Sequence, residues 1–217
     1  TGREENAKKI FKKWDLDCEV IGKTTDSKKL LLKYKGQKVA DLPLDSLSTK
    51  APVYDREWKK HELPEKVKKV KKLDKIKIED ALIKILAHYN VCCKKSIWEQ
   101  YDHTVMCDTI QKPGGDAAVV RIHGKNKGIS MTVDSSPHYC KAHPFTGGKQ
   151  VVCESWRNLI SVGSKPIAIT NCLNFGNPEK KEIMGQFVEC TNGIAEACKY
   201  LDYPVISGNV SFYNETN

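Results

Sequence analysis

Apolar residues recur at helical spacing near the start of the chain, at Ala7, Ile10, Phe11 and Trp14, and predict a helix over 4–14. Short apolar runs at 20–21, 30–34 and 37–42 read as strands, and Lys35-Gly36 supplies a turn between the last two. The stretch from Leu47 to Leu73 carries Pro52, Pro64 and many lysines, and reads as a linker with a solvated surface. Helical period returns over 75–89, with Ile78, Leu82, Ile85, Leu86 and Tyr89 on one face. From Tyr101 the character changes. Strand-like runs at 117–122 and 128–133 flank a turn at 125–128. Gly147-Gly148 precedes a helix over 149–162 that Gly163 can terminate. Next come an apolar strand at 166–170, a loop at 174–178, a helix at 182–200 and a strand at 204–206. The second helix places Ile183, Phe187, Ile194 and Ala197 at apolar positions. This alternation predicts a mixed α/β layer.

Composition narrows the class. Of 217 residues, 40% are hydrophobic and 29% charged, which is enough apolar material for a core. No apolar run approaches the roughly 20 residues of a membrane span, and no signal-like segment opens the sequence. The net charge of +9 comes from 36 Lys and Arg against 27 Asp and Glu. Residues 1–100 hold 25 basic and 16 acidic residues, whereas 101–217 hold 11 of each. Nine lysines lie between Lys59 and Lys77. A basic nucleic-acid-binding module built on this Lys59–Lys77 run is one alternative reading. Such sites interleave aromatics or Arg with the Lys, and only Trp58 is near, so a solvated charged linker is the favoured reading.

The nine cysteines form no regular framework and no C-x-x-C, which fits a reducing compartment and inert thiols. His138-x-Cys140-x-x-His143 is the nearest zinc-like grouping, and it lacks a second pair.

The chemistry gathers in the second half, where small polar residues sit at strand and helix ends. Thr146-Gly147-Gly148-Lys149 reads either as a phosphate-facing helix start or as an ordinary glycine-rich one. Glu154 and Asn158 are four apart on a predicted helix, so their oxygens can share one hard cation such as Mg²⁺; a solvated helix pair is the competing reading. Asp116 and Asp134, at strand ends, can add carboxylates. Asn171, after the strand at 166–170, can reach a nucleotide or serve a turn. His103 reads as an acid or base, or as a structural histidine.

Four strings carry a family resemblance. They are Tyr101-Asp102-His103, Pro113-Gly114-Gly115-Asp116-Ala117-Ala118-Val119, Asn174-Phe175-Gly176-Asn177-Pro178-Glu179-Lys180, and Gly208-Asn209-Val210-Ser211-Phe212-Tyr213-Asn214-Glu215. In this order and spacing they closely resemble the synthetase subunits of phosphoribosylformylglycinamidine synthase in their small form. The resemblance implies an α/β fold of the aminoimidazole ribonucleotide synthetase superfamily. It implies the end of a first copy's second domain at 1–52, a lysine-rich linker and helix at 53–95, and the N-terminal α/β domain of a second copy at 96–217. The activity it implies is that of a carbon–nitrogen ligase with glutamine as amido donor. That family converts formylglycinamide ribonucleotide to formylglycinamidine ribonucleotide with ATP and Mg²⁺ in cytoplasmic purine biosynthesis. The implied partners are a glutaminase subunit and a small assembly subunit, with neither nucleic acid nor membrane.

Residue by residue, the resemblance implies ATP contacts at Asn171 and Gly208, a Mg²⁺ ligand at Asn209 and a substrate contact at Ser211. Asn171 departs from the family's usual Asp; it keeps an acceptor and loses the charge. Auxiliary metal ligands are implied, less strongly, at Asp116, Glu154 and Asn158. The family's catalytic histidine motifs match nothing in this chain. The resemblance therefore implies a fragment without catalytic residues and without synthetase activity by itself.

Overall fold

The computed structural model describes residues 2–62 and 76–216. The chain divides into two compact units, Thr1–Asp55 and Arg56–Asn217. In the first, α1 (Glu4–Lys13) matches the predicted helix, with Glu4 and Glu5 in its first turn and Lys12 and Lys13 in its last, complementing the helix dipole. A hairpin follows, β1 (Lys29–Tyr34) against β2 (Gln37–Pro43), antiparallel with Tyr34 opposite Gln37. Lys35 and Gly36 both adopt positive φ, 47° and 79°, as a two-residue hairpin turn requires. A single turn, α2 (Leu44–Leu47), ends the regular structure. The strand expected at 20–21 does not form: Ile21 is fully exposed, and β1 pairs with β2 alone.

The second unit contains α3 (Ile78–Ala87), α4 (Lys95–Trp98), β3 (Thr109–Gln111), β4 (Ala118–Arg121) and β5 (Gly128–Met131). It continues through α5 (Pro137–Ala142), α6 (Pro144–Ser161), β6 (Ile169–Asn174), α7 (Lys181–Leu201) and β7 (Val205–Ser211). Strands β3, β4 and β5 form an antiparallel sheet in that order, and β6 pairs with β7 in parallel through the crossover helix α7. The fold is α/β, as the alternation predicts. Most of the lysine-rich run, and the first residue of the helix expected over 75–89, lie outside the described residues. Every member of that helix's apolar face from Ile78 to Tyr89 is more than half exposed.

The core sits between α6 and α7. Val152 and Leu159 of α6 pack with Cys190, Ile194, Ala197 and Cys198 of α7, together with Ala117 and Tyr203. Glycines set the closeness of the helices. A Cβ on Gly148 would strike the carbonyl oxygen of Cys190, and one on Gly193 would strike that of Phe145. This corrects the expectation at 146–149. Gly147 and Gly148 do not open the helix; they lie buried inside it, and Gly147 N–H is already bonded to His143 O at 2.8 Å. The helix begins at Pro144, where His143 Nδ1 accepts from Thr146 N–H. Its end is as expected. Gly163 takes φ +78° and donates to Ile160 O, while Ser164 N–H reaches Leu159 O, a Schellman arrangement.

The segment 56–62, expected as a solvated linker, runs along α7 instead. Lys59 N–H donates to Lys181 O at 3.0 Å, and His61 N–H donates to Glu189 Oε2 at 2.9 Å. Glu57 pairs with Lys181. The bare surface of Gly185 admits the Lys59 carbonyl, which any side chain there would displace. Among the described residues no helix is long and apolar enough to cross a membrane.

Candidate nucleotide and substrate site

Parallel pairing of β6 with β7 sets Asn171 opposite Gly208, Cys172 opposite Asn209 and Asn174 opposite Ser211. The four residues implicated in ATP, metal and substrate contact therefore lie on one two-stranded ribbon, Asn171 and Gly208 on one face and Asn209 and Ser211 on the other. Asn171 turns its side-chain oxygen onto the backbone of Gly208, where a Cβ would collide with it. Gly208 and Asn209 are exposed, and Asn171 and Ser211 are half-buried.

Beyond the strands, the last two motif strings, 174–180 and 208–215, close on each other. Phe175 N–H donates to Ser211 O at 3.0 Å, Tyr213 N–H to Gly176 O at 3.1 Å and Asn214 N–H to Phe175 O at 3.0 Å. The Asn214 amide donates to Ser211 O at 2.9 Å and lies 3.2 Å from Ser211 Oγ, which orients the hydroxyl. Glu215 ties down the loop before α7. One carboxylate oxygen accepts from Asn177 N–H at 2.9 Å, and the other meets Lys180 Nζ at 2.8 Å. Those two bonds, the backbone one foremost, hold its pKa below the usual carboxylate value. Asn177 Oδ1 accepts from Glu179 N–H, an Asx turn that leads the chain into the helix. Phe187 anchors this region from α7, meeting Phe175 and Phe212 edge-on at 5.4 and 5.1 Å. Sequence reasoning assigned no role to Asn214, Glu215 or Lys180. They lie inside the motif strings, but their partners are distant along the chain.

A second group forms where the β4–β5 hairpin meets α6. Asn158 donates through Nδ2 to Asp134 Oδ1 at 2.7 Å. Thr132 Oγ1 bridges Asp134 Oδ2 at 2.8 Å and the Asp116 carbonyl at 3.3 Å. Glu154, one turn before Asn158, accepts from Ser136 Oγ at 3.2 Å. The Glu154/Asn158 spacing thus does present both groups to one side, where neutral donors hold the carboxylates. Among the described residues, however, no three His, Cys, Asp or Glu side chains gather as a metal cluster. Mg²⁺ needs only one or two carboxylates when phosphates complete its shell, so this oxygen-rich set suits a cation delivered with a nucleotide.

The zinc-like grouping is not assembled. His143 caps α6, and Cys140 turns to Cys190. His103 packs edge-on against Trp98 at 5.3 Å and borders a cavity of about 160 Å³ with Gln111, Lys112 and Gly115. Its Nδ1 is buried without a hydrogen-bond partner. Nearby, Met106 and Cys107 both hold φ at 55°, an uncommon left-handed pair outside glycine. In the lysine run, Lys59 is engaged with Glu62 at 2.7 Å.

Residues 114–217 match the AIR synthase related protein N-terminal domain. The phosphoribosylformylglycinamidine synthase subunit PurL of Pelagibacter ubique is 63% identical over 216 residues, covering 99% of this chain and 30% of that protein. The PurL of Rhodopseudomonas palustris strain BisB5 is 53% identical over 217 residues, covering 99% of this chain and 29% of that protein. Thermotoga maritima PurL complexed with ATP superposes with a TM-score of 0.70 at 28% identity, over 100% of this chain and 33% of that one. The same organism's PurL complexed with FGAR gives 0.61 at 29% identity, over 86% of this chain and 28% of that one. The chain thus spans about 30% of the length of the curated relatives it matches. Residues 114–217 are thus similar to the N-terminal domain of AIR synthase related proteins, and the chain is similar over nearly its whole length to the phosphoribosylformylglycinamidine synthase subunit PurL.

Proposed function

We propose that this chain is part of an ATP-dependent synthetase that converts formylglycinamide ribonucleotide to formylglycinamidine ribonucleotide in purine biosynthesis. The observation that carries the reading is the β6–β7 register, which sets Asn171 on Gly208 beside Asn209 and Ser211 in a chain 63% identical to a PurL. The reaction is a glutamine-dependent carbon–nitrogen ligation in the cytoplasm. A glutaminase subunit supplies the ammonia, and a small third subunit assembles the complex; a PurLQS structure from T. maritima supports such an assembly. Residues 1–52 end a first copy's second domain, 53–95 form the linker and helix, and 96–217 are the second copy's N-terminal domain. The nucleic-acid reading of the Lys59–Lys77 run draws no support from these relatives.

In this reading the substrate amide oxygen attacks the γ-phosphate of ATP, ADP departs, and ammonia displaces phosphate from the resulting iminophosphate. Gly208 lets the nucleotide approach the strand backbone, and Asn171 offers an acceptor and a donor to it. Ser211, oriented by Asn214, positions the substrate. Asn209, with Asp116, Glu154 and Asn158 as weaker candidates, would hold Mg²⁺, which neutralises charge on the transferring phosphoryl group. These residues position rather than transfer protons. The chain alone has no synthetase turnover, because its residues supply no acid, base or nucleophile to the reaction.

The test is an assay of the full-length protein with formylglycinamide ribonucleotide, ATP and ammonium, comparing the natural sequence with Gly208→Ala. Substrate-dependent ADP release that Gly208→Ala reduces supports the reading. ADP release indifferent to the substrate sinks it.

A further inference from the structure

Three helices meet around Gly147-Gly148, and the meeting brings two cysteines together. A Cβ on Gly147 would press on the backbone of Cys140 in α5, and one on Gly148 on the backbone of Cys190 in α7. With neither Cβ present, α5 and α7 close on each other beside α6, Cys140 packs against the core cluster that contains Cys190, and the two thiols interact. Cys190 is buried in the core, and Cys140 packs against that core from a half-buried position.

We propose that Cys140 and Cys190 form a redox-active dithiol that hydrogen peroxide converts into a disulfide joining α5 to α7. The chemistry is asymmetric. The Cys190 thiol donates to the Cys140 sulfur, lowering the Cys140 pKa to about 7, while the same bond and burial raise that of Cys190. Cys140 therefore supplies a thiolate near neutral pH, and Cys190 keeps its proton. The Cys140 thiolate attacks one peroxide oxygen; an S–O bond forms, the O–O bond breaks, and hydroxide leaves to become water. Cys190 then gives up its proton and attacks the Cys140 sulfur. The S–S bond forms, the S–O bond breaks, and a second water departs. Two thiols lose two hydrogens, and one peroxide is reduced to two waters.

The placement gives the bond a structural effect. His61 spans the same two helices: its N–H donates to Glu189, adjacent to Cys190, and its Nε2 lies 3.1 Å from the carbonyl oxygen of Ala142, two residues after Cys140. Oxidation would fix the α5–α7 spacing on which the 56–62 segment is anchored.

The experiment treats the 217-residue chain with equimolar hydrogen peroxide at pH 7, blocks remaining thiols by alkylation and maps the peptides by mass. The expected product is a reducible Cys140–Cys190 peptide pair lighter by two hydrogens, roughly tenfold above any other pairing, as a preferred thiolate predicts. In Cys190→Ser, Cys140 stops at the sulfenic acid and is captured by dimedone. In Cys140→Ser, Cys190 stays reduced. Exposed Cys93 and Cys107 serve as comparison thiols. The proposal is overturned if Cys140 pairs with another cysteine, if Cys190 stays a free thiol while Cys140 is oxidised, or if the pairing is equally frequent in denaturing urea.

Discussion

The side-chain oxygen of Asn171 rests against the α-carbon of Gly208, in the space where a side chain on residue 208 would stand. The two positions are coupled, and neither can change without consequence for the other. Gly208→Ala is expected to turn Asn171 away and weaken nucleotide binding about tenfold or more in the full-length protein, equivalent to roughly 1.4 kcal/mol. Calorimetric titration with ATP and Mg²⁺ measures this. Asn171→Gly should lose a similar amount, and the double variant little more than either single one, because both remove the same contact; unchanged affinity in Gly208→Ala would separate the glycine from the nucleotide.

Glu215 gives the motif loop a pH dependence. Its folded pKa lies below the unfolded reference of 4.5, so its contribution is fully present above that value and is lost as pH falls through the lower folded pKa. Order in residues 175–180 should persist through neutral pH and fade in acid below 4.5. Amide exchange at Asn177, followed over pH against Glu215→Gln, reads the effect. The variant should show fast exchange at neutral pH and no acid transition of its own.

The α6–α7 contact predicts a contrast between glycines. Gly148→Ala and Gly193→Ala push a methyl into backbone carbonyls across the helix pair, and each should destabilise the second unit by about 3 kcal/mol. Gly185→Ala meets only the carbonyl of Lys59, in a segment that can lift away. It should leave the thermal midpoint almost unchanged while exposing 56–62 to protease. Equal losses at all three positions would contradict this division.

Cys107, at φ 55°, is a side chain in a backbone conformation that suits glycine. Cys107→Gly should raise stability by about 0.5–1 kcal/mol, the relief of left-handed strain less the added chain entropy. Urea unfolding gives the comparison, and a lowered midpoint would show that the conformation is held by contacts of the thiol.

Much of this was legible in the sequence because the signals were local. Lys35-Gly36 announced its hairpin, Gly163 its helix end, and the apolar positions Ile194 and Ala197 their buried face. The start of α6 was not, because Gly147-Gly148 reads as a break on propensity, while helix packing requires small residues there. The expected site residues Asn171, Gly208, Asn209 and Ser211 fell on paired strands. Glu215 as the clasp of residues 177 and 180, and Cys190 as the mate of Cys140, depend on contacts far apart in the chain that no spacing rule reports.

The segment along α7 is gripped largely through its backbone: the amide of Lys59, the amide of His61 and the Lys59 carbonyl over Gly185. A contact of this kind shifts the burden of specificity onto its receptor. Residues 59 and 60 are free to exchange one side chain for another so long as the peptide groups stay in place, whereas residue 185 has no alternative to glycine that keeps the seat open. In homologous chains the variable partner of this pair should be the segment, and the fixed one the helix that receives it.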